Sequence, residues 1–97
     1  MIKVKIISER EDVTDIIKIA ISSEIKRLEI GLNRTNKEIK KLEEKYRTSS
    51  EIFVKEFTSE DLTGGDDEYI MWSGELKLRD SILEEIEKLK DIEYVAN

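Results

Sequence analysis

Carboxylates are the reactive groups that this 97-residue chain carries in number, 23 Asp and Glu against 17 Lys and Arg. Eight of them, Glu51, Glu56, Glu60, Asp61, Asp66, Asp67, Glu68 and Glu75, fall in a stretch whose only cation is Lys55. Such a cluster can hold a divalent cation, attract a basic protein or cap helices. The D-x-D-x-D-G spacing of a calcium loop is missing, so capping and a small basic protein partner are favoured over a metal, and no cofactor is expected. His-dependent proton transfer, thiol chemistry, disulfides and thiolate or imidazole metal sites are excluded, because the chain has no His and no Cys. Ser49, Ser50, Ser73 and Tyr69 have no positioned base beside them in the sequence. The expectation is a protein without catalytic activity.

The cations are placed differently. Lys26, Arg27, Arg34, Lys37, Lys40, Lys41, Lys45 and Arg47 interleave with Glu24, Glu29, Glu38, Glu43 and Glu44, the usual polar flank of a coiled coil. Charge sums to 0 over residues 1–23, +3 over 24–47, −7 over 48–75 and −2 over 76–97. With a net charge of −6, nucleic acid and anionic membranes are disfavoured as partners, because both are polyanions. Glu75 and Arg79 stand one helical turn apart beside Trp72, a spacing that predicts a structural ion pair or a specific contact.

These groups need elements to carry them, and the apolar periodicity supplies those. Residues 2–7 alternate Ile2, Val4 and Ile6 with lysines, the pattern of a short strand. From about Asp12 the period becomes helical. Ile21, Ile25, Leu28, Leu32, Thr35, Ile39, Leu42 and Tyr46 then follow in alternating steps of four and three, a heptad seam over one long helix. Gly31, Asn33, Thr35 and Asn36 weaken helix propensity there, but the register passes through them, so continuity is expected. Thr48-Ser49-Ser50-Glu51 fits a capping box before a short helix carrying Ile52, Phe53 and Phe57 on one face. Gly64-Gly65 marks the sharpest turn, and Asp66 can cap a third helix with Met71, Trp72, Leu76, Leu78, Ile82, Leu83, Ile86 and Leu89 on a broad face. Ile92, Tyr94 and Val95 read as a second strand near the first, paired within a chain or between chains.

The fold class expected is mostly α: a long coiled-coil helix, a short helix and a returning antiparallel helix, with short terminal β-strands, in one domain over 1–97. A hairpin of this size has a thin core, so a homodimer is expected along the seam formed by Ile21, Ile25, Leu28, Leu32, Ile39, Leu42 and Tyr46. No apolar run approaches the roughly 18 to 20 residues of a membrane-spanning helix. The start MIKVKII, charged at Lys3 and Lys5, lacks a signal-peptide core, so a cytoplasmic chain is expected.

The segments EEKYRTSSEIFVKEF and GGDDEYIMWSGE together resemble a group of small uncharacterised prokaryotic helical proteins, which share E-K-Y, then S-S-E-x-F, then G-D-D-E/D-Y with a Trp shortly after. The match runs over roughly residues 39–90. It implies an antitoxin-like role, binding a small toxin encoded nearby, and it marks Tyr46, Phe53, Phe57, Asp66, Asp67, Tyr69, Trp72 and Glu75 as the family-defining set. Together with Glu68 and Arg79, all of these but Tyr46 make up the expected partner surface. Self-association with no other partner is the alternative. Finally, the richness in Lys, Glu and Ile, with no Gln or Cys, is thermophile-like usage. A thermal midpoint above roughly 65 °C is predicted, and one within the mesophile range of about 45–65 °C would contradict it.

Overall fold

The computed structural model describes residues 4–56 and 67–96. It contains β1 (Lys5–Ser8), α1 (Glu11–Tyr46), α2 (Ser50–Glu56), α3 (Asp67–Lys90) and β2 (Glu93–Ala96). The fold is mostly α, a helical hairpin with a small strand pair at its open end. The turn expected at Gly64-Gly65 lies outside the described residues, as do Phe57 and Asp66.

α1 is unbroken through the Gly31–Asn36 stretch. Thr35 is buried, so packing outweighs its weak propensity. A methyl at Gly31 would meet only Ile82 Cδ1 at 3.8 Å, an ordinary contact, so the residue is not demanded by crowding. At 1.5 Å per residue α1 is about 54 Å long and α3 about 36 Å. The molecule measures 56 × 24 × 19 Å, so α1 alone sets its length and the strands lie alongside it.

The seam of α1 packs against α3 in antiparallel order. Ile39 and Leu42 meet Phe53, Trp72 and Leu76 near the hairpin turn, with Tyr46 and Tyr69 leaning on them. Leu28 meets Ile82 and Ile86 further along, flanked by Ile25, Leu32 and Leu89. This corrects the expected homodimer seam. Leu28, Ile39 and Leu42 are buried by the chain's own returning helix, and Ile25, Leu32 and Tyr46 are packed on the same core, while Ile21 is half-buried. A heptad stripe needs an apolar partner, and α3 supplies one at far higher effective concentration than a second chain. On α3 only the middle of the broad face is used: Trp72, Leu76, Ile82 and Ile86 are buried, whereas Met71, Leu78 and Leu83 stay open.

α1 leaves the open end and α3 returns to it, so the hairpin serves as the long crossover that parallel strands require. β1 and β2 accordingly pair in parallel within one chain, with Lys5 opposite Glu93 and Ile7 opposite Val95. The Glu93 N–H donates to the Val4 carbonyl at 2.8 Å. Lys18 of α1 lies 5.1 Å from the Tyr94 ring centroid, a cation–π contact that ties β2 to the helix.

Thr35 carries a cost. It is 1% exposed, and its hydroxyl has no hydrogen-bond partner. A buried, unpaired polar group costs about 1–3 kcal/mol, and Val keeps the branched shape without the hydroxyl. Thr35→Val is therefore predicted to stabilise the fold by about 1 kcal/mol in denaturant unfolding. A loss of stability would show that the hydroxyl is satisfied.

Candidate functional site

Tyr46, Phe53, Tyr69 and Trp72 come together where α1, α2 and α3 meet, and what they build is an aromatic lock. α1 ends at Tyr46, and Arg47 takes a left-handed conformation (φ 51°, ψ 43°) with its N–H returning to the Glu43 carbonyl. Thr48 N–H donates to the same carbonyl at 3.1 Å. The chain is thereby turned sharply into α2. Ser49 caps α2: its Oγ accepts from Ile52 N–H at 3.2 Å, and its carbonyl accepts from Phe53 N–H at 3.0 Å. The cap is thus Ser49 rather than Thr48. Glu43 of α1 adds its Oε2 as acceptor for Ser50 N–H at 2.8 Å, satisfying a second donor of the new helix.

Ser50 has a separate task. It is buried, and its Oγ accepts the indole N–H of Trp72 at 2.9 Å. The indole is fully buried at 0% exposure, stacked on Phe53 with centroids 4.1 Å apart and planes within 5°. Tyr46 lies on Trp72 at 5.9 Å, and Tyr69 closes the group at 5.3 Å from Tyr46 and 5.8 Å from Phe53. Around the rim, Glu68 Oε1 accepts from Lys45 Nζ at 2.5 Å and from Tyr46 Oη at 2.8 Å. The Lys45 ammonium and, after it, the Tyr46 hydroxyl hold the Glu68 carboxyl below the usual glutamate range. A carboxyl so lowered contributes stability above the ordinary glutamate pKa and loses it as pH falls through the folded value.

This geometry changes the reading of the expected partner surface. Phe53 and Trp72 are core residues, so neither is presented to a partner, and Tyr69 is half-buried beside them. The signal that could have shown this is the single Trp itself, because a buried indole N–H needs an acceptor and Ser50 stands in the preceding short helix. Glu68 is held by Lys45 and Tyr46, whereas Asp67 is exposed in the first turn of α3. The expected Glu75–Arg79 pair is not formed. Arg79 Nε has Asp80 Oδ1 at 4.0 Å, and the buried Glu75 Oε2 has no hydrogen-bond partner.

What remains open at this end is a groove of about 400 Å³ between α2 and α3. Apolar Val54 and Leu76 line it together with Glu51, Lys55, Arg79 and Asp80. Val54 and Ile52 are exposed on α2, as are Ile70 and Met71 on α3. Among the described residues no cluster of Asp or Glu has the arrangement of a metal site. Ser50 is occupied by the indole and Ser49 by the cap, so neither hydroxyl is set up as a nucleophile.

Ser50→Ala leaves the Trp72 N–H buried without an acceptor. It is predicted to cost about 1–3 kcal/mol in unfolding free energy with little change in folded helix content. An effect near zero would mean that the indole finds water instead. No protein-family model, curated protein or solved structure matches this chain, so its site rests on its own geometry.

Proposed function

We propose that the chain is a non-catalytic protein–protein interaction protein, antitoxin-like in that its acidic hairpin end covers a small basic protein. The observation that supports this most is the α2–α3 groove, where apolar Val54 and Leu76 lie among Glu51, Lys55, Arg79 and Asp80, beside the 48–75 stretch of the sequence whose charge sums to −7. An apolar centre with charged surroundings is the usual make-up of an interface, the first giving affinity and the second steering and register. The lock beneath it matters because α2 is seven residues long and would not hold its shape alone. Phe53, Ser50 and Glu43 fix it, so Glu51, Ile52 and Val54 are presented on a rigid base. The aromatic residues support the partner surface in this reading and do not form it. Among the described residues no helix is long and apolar enough to cross a membrane.

Coexpression with each small protein encoded beside its gene tests the proposal, a basic one being the expected partner. The two are expected to copurify. Combined charge reversal at Asp66 and Asp67, with Val54→Lys added, is expected to weaken the complex at least about tenfold. A neighbour that never copurifies, or a complex indifferent to these changes, would sink the reading.

A further inference from the structure

α1 carries a second stripe that the other described residues leave uncovered. Val13, Ile16, Ala20, Ser23, Arg27 and Ile30 follow in steps of three and four, as the seam does, but about 120° round the helix from it. All six are exposed, and Ile19 borders them; Ile16, Ile19 and Ile30 are 64%, 66% and 71% open. Lys18, which holds β2 through Tyr94, is about 160° away from the stripe's centre, so the strand pair does not cover it either. The stripe lies mostly where α1 outruns α3, and a helix with two apolar faces is packed on two sides.

We propose that a second copy of this chain covers the stripe, with the two α1 helices antiparallel about a two-fold axis between Ala20 and Ser23. The spacing itself is self-complementary under that operation. Val13 falls opposite Ile30 of the other copy, Ile16 opposite Arg27, and the small residues Ala20 and Ser23 face each other at the crossing, which lets the backbones approach. The matched length is about 27 Å. Charge selects both the occupant and its direction. Residues 11–34 sum to −1, so two copies of a chain with net charge −6 can meet there without the repulsion that the −7 segment would impose. Among the described residues Arg34 makes no ion pair. In the antiparallel arrangement it comes beside Asp12 of the other copy, in an acidic first turn that Arg10 of that copy also contacts, twice over by symmetry. A parallel pair would instead set each acidic turn against its own likeness.

This contact is independent of the partner groove, which lies at the opposite end of α1. Sedimentation equilibrium of the full chain tests it. Twice the chain mass at high micromolar concentration is expected, returning to the monomer mass for Ala20→Arg, whose exposed site leaves helix content and thermal unfolding of the monomer unchanged. Asp12→Arg and Arg34→Asp should each weaken association, and the combined exchange should restore it. The chain has no Cys, so Ala20→Cys and Ser23→Cys chains introduce single thiols. Mixed, they should cross-link to each other faster than either does to itself. A wild-type chain that stays monomeric, a dimer indifferent to Ala20→Arg, or an exchange variant weaker than both single changes would overturn the proposal.

Discussion

Burying an indole takes its N–H out of water, and the loss is tolerated only where an acceptor is waiting. In this chain the acceptor is Ser50, the first residue of a helix too short to stand alone. The indole of Trp72 thus fastens α3 to α2, and the Glu43 carboxylate fastens α2 back to α1. Phe53 and Tyr46 complete the lock by stacking on either side of the contact between helices. All three helices depend on this one junction, because the remaining α1–α3 contact is a single layer of aliphatic side chains.

Unequal helix lengths then determine which surfaces stay open. α3 falls about 18 Å short of α1, so the seam is closed along its length while the first turns of α1 have only a two-stranded sheet beside them. At the other end the lock holds α2 away from the rest of α3, leaving the groove that Val54 and Leu76 help to line. Charge follows the same division. Glu51, Asp67 and Glu68, in the first turns of α2 and α3, sit at the hairpin end, and the near-neutral stretch 11–34 carries the exposed stripe of α1.

Much of the fold was legible in the sequence because helix periodicity is a property of the chain alone. The heptad steps from Ile21 to Tyr46 predicted one continuous helix and identified its buried stripe, and the change to alternation located both strands. The identity of whatever covers the stripe was not legible, since the same spacing serves a partner helix in cis or in trans. Leu28, Ile39 and Leu42 were therefore assigned to a homodimer although α3 buries them. The aromatic residues were misread for a related reason: a Trp flanked by carboxylates looks like an exposed binding patch until the hairpin returns it onto Phe53. Thr48-Ser49-Ser50-Glu51 is recognisable as capping chemistry, but that Ser49 rather than Thr48 caps is decided by the left-handed turn at Arg47. The Glu75–Arg79 spacing permits an ion pair without requiring one, and long side chains at a surface have many alternatives.

The central claim is that Trp72 is locked in the junction of the three helices, and the chain offers a direct reading of it because it contains one Trp. Its fluorescence should be blue-shifted and shielded from acrylamide in the native protein. Both properties should be lost together with helical circular dichroism in one unfolding transition. A native protein of full helix content whose indole emits as though in water, or is quenched as freely as in the unfolded chain, would contradict the account.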